Sequence, residues 1–206
     1  MGLVTNRTAW ATPKSAPCVT VKERRLFVAR PTGIALVGQP GSGKSSIADA
    51  LVRLVGGERL SFAGALKDEV AEALGYAGML YDFHRARMND PATKDEYRSV
   101  LQAWGSFRRA QDEDYWVRIV TAGIKPDQFY VVDDCRYFNE EAALRRYGFK
   151  FVLLGPGETT RPLTGEQAAH ASEKDWPEFK VDALVSYTRG PEIQARTVAA
   201  LFGLEA

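Results

Sequence analysis

Short apolar runs alternate with helical patterns along most of this chain. The runs Ile34–Val37, Phe129–Val132 and Phe151–Leu154 are apolar throughout and predict buried strands. Leu60–Phe62 and Ala183–Ser186 predict two shorter strands. Because strands that alternate with helices form parallel sheets covered on both faces, the pattern predicts an α/β fold with three layers.

The segments between these strands carry apolar residues at helical spacing, and glycines follow several of them. We therefore expect helices over Ser45–Val55, Ala65–Leu74, Lys94–Trp104, Asp114–Gly123, Glu140–Tyr147 and Pro191–Phe202. Asn139 is the predicted N-cap of the fifth of these helices. Residues 76–93 are predicted to be irregular, residues 155–180 to form a mobile lid, and residues 19–30 to form a strand pair.

Length and composition favour one domain. A chain of 206 residues with 45% hydrophobic and 26% charged residues can bury a full core. We expect a partly flexible N-terminal extension over residues 1–32 and one domain over residues 33–206. A formal net charge of +1 gives no field that would recruit nucleic acid or an anionic membrane. Cys18 and Cys135 form no C-x-x-C pair, which favours a cytoplasmic protein.

The stretch from Gly38 to Ser45, GQPGSGKS, fits the phosphate-binding pattern G-x-x-x-x-G-K-[ST]. It follows a predicted strand and opens a predicted helix, whose N-terminus favours an anion. Lys44 can reach the β- and γ-phosphates, and the Ser45 hydroxyl can bind Mg²⁺. The residues expected to bind ATP are Gly38, Pro40, Gly41, Ser42, Gly43, Lys44, Ser45 and Ser46. An accidental glycine-rich turn is the alternative interpretation.

A pair of acids follows the apolar strand at Val131 and Val132. Asp133 and Asp134 occupy the position of a carboxylate that holds Mg²⁺ directly or through water. Asp134 is the preferred ligand of the two. Asp134 and Arg136 are two residues apart, so an extended backbone points both to one side and Cys135 into the core. A strand-end turn with solvated carboxylates is the alternative.

Arginines lie in or beside the segments that could close over this site, and phosphoryl transfer needs cations around the acceptor and the transferred group. They are Arg98, Arg108, Arg109, Arg136 and Arg161. Solvated surface arginines are the alternative for each one. Residues 82–118 hold seven basic and seven acidic residues. This balance suits discrete phosphate clamps better than a basic nucleic-acid patch.

Further motifs follow the phosphate loop in order. They are Phe62–Lys67, Tyr97–Ser106, Arg108–Asp112, Asp114–Val117, Asp134–Glu140 and His170–Glu173. In these stretches the chain resembles the phage-type deoxynucleoside monophosphate kinases, which belong to the P-loop nucleoside monophosphate kinase superfamily. The resemblance covers roughly residues 33–204. Its specific part is the combination of R-x-x-x-Q-x-x-G, D-x-R-[FY]-x-N-E and H-x-S-E.

The resemblance implies ATP- and Mg²⁺-dependent phosphorylation of deoxynucleoside 5′-monophosphates to diphosphates, on a three-layer P-loop kinase fold with an acceptor-binding segment near residues 60–118 and a lid near 155–180. It implies that the acceptor contacts Phe62, Lys67, Arg98, Gln102 and Trp116, with Arg108 and Arg109 on its phosphate. Lys44 and Arg136 join these two arginines as catalytic cations, and Arg161 would lie beside the donor nucleotide. The alternative interpretation of Phe62 and Trp116 is that they are aromatic residues of the core.

Two features depart from the family pattern. Tyr187 stands where an asparagine near the adenine is expected, and the first 30 residues have no counterpart. His170 and Glu173 belong to the matched motifs but receive no chemical role. A kinase for a modified nucleotide or a modified base in DNA, and a non-catalytic NTP-binding regulatory module, are the alternative functions. A small-molecule nucleotide is the expected partner, without stable nucleic-acid or membrane binding, and a homodimer is left open.

Overall fold

A parallel sheet forms the centre of the molecule. The structure is a computed structural model that describes residues 30–75, 80–155, 175–186 and 190–204. The strands are Gly33–Val37 (β1), Glu58–Leu60 (β2), Tyr130–Val132 (β3), Phe149–Leu154 (β4) and Ala183–Val185 (β5). Their order is β2-β3-β1-β4-β5, and each neighbouring pair is parallel.

In the described residues, helices lie on both faces of the sheet. They are Lys44–Val55 (α1), Phe62–Leu74 (α2), Tyr81–Asn89 (α3), Arg98–Gln111 (α4), Tyr115–Thr121 (α5), Phe138–Arg146 (α6) and Pro191–Leu201 (α7). Single 3₁₀ turns cover Lys94–Tyr97 and Trp176–Glu178. Among the helices that the structure describes, none has the length and apolar character to cross a membrane.

The alternation of side chains along β1 shows how the layers form. Ile34 and Leu36 pack in one core with α1 and α7. Ala35 and Val37 point the other way, into a second core with Phe62 of α2 and with α5 and α6. All of these strand residues are buried, as expected of a parallel sheet covered on both faces. The predicted α/β class and its three layers are therefore confirmed.

A smaller apolar cluster joins α2, α3 and α4 at one side of the second layer. Val70 and Ala71 of α2 pack there with Met88 of α3, and Leu101 and Trp104 of α4 cover them. These three helices carry most of the segment that the sequence analysis assigns to acceptor binding.

Three predicted boundaries are wrong for identifiable local reasons. The strand predicted over Leu60–Phe62 is shifted by two residues to Glu58–Leu60, because Ser61 is the N-cap of α2 and its hydroxyl accepts the Gly64 N–H at 2.8 Å. Residues 76–93 are not wholly irregular, because they contain α3. Asn139 does not cap α6, since that helix begins at Phe138 and its N-cap is Tyr137.

Several predictions fall on residues that the structure does not describe. They concern the strand pair over residues 19–29, most of the lid over residues 155–180, and the residues Arg161, His170, Glu173 and Tyr187. The described residues do not test these predictions.

Candidate active site

The predicted phosphate loop connects β1 to α1 at the carboxyl edge of the sheet. Gly38 and Gly43 have φ of 148° and 83°, in the range that favours glycine. A Cβ at Gly38 would lie only 2.9 Å from the Leu154 carbonyl oxygen. The backbone of this loop therefore requires glycine at these two places, which supports the predicted motif over an accidental turn.

The N-terminus of α1 directly follows the loop. Gly43 is the N-cap and has no side chain to offer, and the first turn carries no acidic residue. The Ser42 hydroxyl is buried, and no residue that the structure describes makes a hydrogen bond to it. Pro40, Gly41, Ser45 and Ser46 are partly or fully exposed around it. Helix N-termini with such unpaired donors bind phosphate well.

Lys44 lies across the loop that it belongs to. Its Nζ donates to the carbonyl oxygens of Gly38 and Gln39, at 2.7 Å each. Burial, and then the positive charge of Arg136, lower the pKa of Lys44 to about 8, although the Asp133 carboxylate acts in the opposite direction. The charge of Arg136 thus acts on Lys44.

We expect ATP binding to take up a proton near pH 8.5. In the nucleotide-free protein Lys44 loses its proton as the pH rises through a pKa of about 8, whereas bound phosphates favour the charged amine. ATP affinity should therefore fall as the pH rises above this value. Titration calorimetry in buffers of different ionisation enthalpy measures the uptake. The same uptake in Lys44→Ala would contradict this assignment.

Asp133 is held by donors from two elements. Its Oδ2 accepts the Ser45 hydroxyl at 2.6 Å, and its Oδ1 accepts from the Arg59 guanidinium. Arg59 lies in β2 and also donates to Asp49 of α1, at 2.8 Å. Sequence reasoning missed Arg59, because β2 carries no motif and only the pairing of β2 with β3 brings it to Asp133.

Asp134 has a different set of partners. It accepts the Ser61 hydroxyl at 2.6 Å and the backbone N–H groups of Ala63 at 2.8 Å and Phe62 at 3.2 Å. Asp134 thus provides the hydrogen-bond acceptor for the first backbone N–H groups of α2. Burial raises the pKa of Asp134, and these hydrogen bonds oppose the rise. Of the two acids, Asp133 is the one in contact with Ser45, so the structure does not support the preference for Asp134 as metal ligand.

Mg²⁺ fits the donors present at this edge. Within the described residues, no group of three or more His, Cys, Asp and Glu side chains forms a metal site. Mg²⁺ needs no such cage, since it keeps several waters and takes one or two protein oxygens plus substrate phosphates. The Ser45 hydroxyl and the Asp133 carboxylate are hard oxygen donors already in contact with each other.

A cleft of about 250 Å³ opens between α2, α4 and the turn after β3. Asp134 in its lining directly follows Asp133, which contacts Ser45 at the phosphate loop. Four of the predicted acceptor-binding residues line it: Phe62, Lys67, Gln102 and Arg109. Asp134 and Arg136 line the same cleft, as their spacing predicts, while Cys135 is buried in the core. Phe62 is itself almost fully buried, so it serves both the core and the cleft wall.

Arg109 and Glu140 meet in this cleft. The Arg109 Nη2 donates to Glu140 Oε1 at 3.0 Å, and the guanidinium lies 4.0 Å from the centre of the Tyr137 ring. Burial raises the pKa of Glu140 to about 7, although the Arg136 backbone N–H and Arg109 favour the ionised form. Glu140 ends the motif Asp134–Glu140, but no chemical role was predicted for it.

Lys67 has a cationic neighbour that the sequence analysis missed. Its Nζ donates to the Asn89 side-chain oxygen at 3.0 Å, and Arg85 donates to the same oxygen at 2.8 Å. Burial, and next the charge of Arg85, lower the pKa of Lys67. Arg85 and Asn89 belong to α3, in the segment predicted to be irregular, so no sequence signal placed them here.

Three predicted acceptor residues do not line the cleft. Arg108 donates through Nε to Glu69 at 2.6 Å, on the other side of α4. Trp116 is a core residue, 1% exposed, as its alternative interpretation has it. Arg98 is exposed and donates to Asp95 at 2.6 Å.

Comparisons with known proteins find similarity only among solved structures. No family model and no curated protein matches the chain. Among solved structures, shikimate kinase from Aquifex aeolicus vf5 is 14% identical, with a TM-score of 0.46 over 83% of this chain and 96% of that one. A gluconokinase from Sinorhizobium meliloti 1021 is 18% identical, with a TM-score of 0.42 over 84% and 95% of the two chains.

A third similar structure is the APS kinase from Mycobacterium tuberculosis in complex with AMPPNP and APS. It is 17% identical, with a TM-score of 0.40 over 84% of this chain and 98% of that one. Identities and TM-scores of this size say nothing about the substrate of this chain, so its function has to come from the site.

Proposed function

We propose that this protein is an ATP-dependent kinase that phosphorylates deoxynucleoside 5′-monophosphates to diphosphates. The observation that carries the proposal is the cleft beside the phosphate loop, which holds the cationic side chains Lys67, Arg109 and Arg136. An acceptor that enters this cleft has its phosphate among cations and its remaining part against Phe62, Leu101 and Gln102. A cleft that combines cations with apolar side chains and an amide suits a nucleoside monophosphate.

The relation between the two subsites supports phosphoryl transfer rather than nucleotide binding alone. Arg136 lines the acceptor cleft and also acts electrostatically on Lys44 of the phosphate loop. A phosphoryl group passing from donor to acceptor would lie between these two cations, which stabilise the charge that it carries. An acceptor phosphate is already nucleophilic near neutral pH, so no general base is required.

The metal site would be formed by Ser45 and Asp133 together with phosphate oxygens of ATP. Mg²⁺ bound there neutralises phosphate charge and orients the phosphates. Arg59 keeps the Asp133 carboxylate in place through its second contact with Asp49.

We expect more than one base to be accepted. Gln102 is exposed at the cleft wall, and its amide can present either a donor or an acceptor to a base edge. Strong rejection of a wrong base requires buried polar groups that would be left unpaired. An exposed amide does not provide such a group.

The test is to incubate the protein with ATP, Mg²⁺ and each deoxynucleoside monophosphate in turn, 5-substituted pyrimidines included, and to measure diphosphate formation. The proposal predicts new diphosphate from at least one of them. If none is converted while an oligonucleotide is phosphorylated, the enzyme acts on a base in DNA. ATP hydrolysis that is independent of any acceptor, without a new diphosphate, indicates a regulatory NTP-binding module.

Two neighbouring arginines give a matched test of the cleft. Loss of a hydrogen bond to a charged group is worth about 1.5–3 kcal/mol, so Arg109→Ala should raise the half-saturating acceptor concentration by roughly 10- to 100-fold and leave that of ATP unchanged. Arg108→Ala should leave the half-saturating acceptor concentration unchanged and only lower the melting temperature, because Glu69 loses a partner. Steady-state kinetics and thermal melts of both variants measure this. A larger acceptor effect in Arg108→Ala would contradict the assignment.

A further inference from the structure

Glu140 is a buried carboxylate at the wall of the acceptor cleft, and the proposed reaction gives it no step. Only 2% of its side chain is exposed. Its Oε1 accepts from Arg109 Nη2 at 3.0 Å. Its Oε2 accepts from the backbone N–H groups of Arg136 at 2.8 Å and Tyr137 at 3.2 Å. Both oxygens are thus occupied by donors, which is not the arrangement of a group that takes a proton from a substrate.

These contacts reach two of the three cationic residues in the cleft. Through Oε1 Glu140 holds the guanidinium of Arg109, and through Oε2 it holds the backbone from which Arg136 projects. Arg109 comes from α4, and Arg136 comes from the turn between β3 and α6, which also holds Asp133 and Asp134. One carboxylate therefore fixes the relative positions of two elements that meet in the acceptor cleft.

The packing around Arg109 supports the same conclusion. Its guanidinium lies over the Tyr137 ring, and a Cβ on Gly105 would come within 3.3 Å of its Nη1. A guanidinium has five N–H donors, and the contact with Glu140 uses only a donor on Nη2. The contact with Glu140 on one side thus orients the group, and the hydrogen bonds of the described residues leave its other edges for a phosphate.

We infer that Glu140 is a positioning residue that holds Arg109 and Arg136 where they bind the acceptor phosphate. The inference rests on the proposed function for the identity of the acceptor. A long arginine side chain loses much rotational freedom when it is fixed. If Glu140 already fixes the Arg109 side chain in the folded protein, this entropy is not lost again when the acceptor binds.

The adjacent residue provides a matched control. Glu141 is also buried and also pairs with an arginine, since its Oε1 accepts from Arg145 Nε at 2.8 Å. It does not line the cleft. Glu140→Gln and Glu141→Gln therefore make the same chemical change, on the same helix, inside and outside the site.

The kinetic experiment compares the two variants with the unmodified protein. Glu140→Gln should raise the acceptor KM by about tenfold or more, as expected for a weakened charge-assisted contact, and should change the ATP KM by less than about twofold. Glu141→Gln should alter neither value. If both variants lose similar thermal stability and both keep the acceptor KM, Glu140 is a structural acid only and the inference is overturned.

A second measurement does not depend on the substrate. In ¹⁵N NMR spectra of the nucleotide-free protein, the Arg109 side chain should give a slowly exchanging Nε–H and resolved Nη signals. These features should be lost in Glu140→Gln and kept in Glu141→Gln. Unchanged Arg109 signals in Glu140→Gln overturn the inference. If those signals change as expected but no deoxynucleoside monophosphate is converted, the positioning role stands and the proposed substrate is wrong.

Discussion

Lys44→Ala is expected to lower turnover by about 10²–10³-fold, the effect of removing one positioned donor from a charged transition state. The melting temperature should stay the same or rise slightly. The reason is that burial lowers the pKa of Lys44, which means that its charged form is less favourable in the folded protein than in water. Steady-state turnover and a thermal melt of the same preparation measure the two effects.

Lys150→Ala is the control for this variant. Lys150 is a half-exposed lysine of β4 that donates to Asp182, on an element that does not form the phosphate loop. Its removal should leave turnover unchanged. Normal turnover in folded Lys44→Ala would rule out the phosphate role of the loop.

The second large effect separates the two acids after β3. Asp133→Asn should raise the Mg²⁺ concentration needed for half-maximal activity by about 10- to 100-fold, as is usual when a carboxylate near a metal is neutralised. The charge that would favour a cation next to the Ser45 hydroxyl is then gone, and Arg59 loses its ionic partner. Activity measured over a range of Mg²⁺ concentrations gives the shift.

Asp134→Asn makes the same change one residue later and serves as the comparison. Its carboxylate is bound to Ser61 and to the first N–H groups of α2. We expect a loss of stability of about 1–3 kcal/mol because these donors are left poorly paired, with an unchanged Mg²⁺ requirement. The reverse pattern, with Asp134→Asn shifting the Mg²⁺ requirement and Asp133→Asn not, would restore Asp134 as the ligand.

The local pattern of the sequence was sufficient for the sheet and the phosphate loop. The apolar runs at β1, β3 and β4 are continuous because a parallel sheet buries both faces of its strands, and the loop motif constrains the backbone by itself. The sequence pattern was also sufficient to predict that Asp133 and Asp134 lie at the edge of the sheet that carries the phosphate loop. Since β1 and β3 are parallel neighbours, their carboxyl ends lie at one edge.

The start of α2 was mispredicted although the signal was present. Leu60 and Phe62 flank a single polar residue and so imitate a strand. Ser61, however, is a favoured N-cap residue directly before an apolar periodic segment, which is a helix start. By contrast, α3 had no comparable signal, because Met88 is its only buried residue among the positions described.

The arginine pair shows what elementary helix geometry could have added. Successive residues on a helix point about 100° apart, so Arg108 and Arg109 could not both face one cleft. Which of them faces it depends on the packing of α4 against α2, where Leu66 meets Gly105. The pairs Arg59–Asp133 and Arg109–Glu140 likewise join distant parts of the chain, and only the folded structure shows them.

The carboxylate of Glu69 has a consequence for how tightly the site could bind. Three donors from α4 and α5 converge on it: Trp104 Nε1 at 2.8 Å, Arg108 Nε at 2.6 Å and the Tyr115 hydroxyl at 2.7 Å. Together with Asp134 at the start of α2, it locks the helices that form the cleft walls to one another and to the sheet. Their ordering entropy is lost once, during folding, so these walls reach the acceptor preorganised and affinity there depends on contacts rather than on rearrangement.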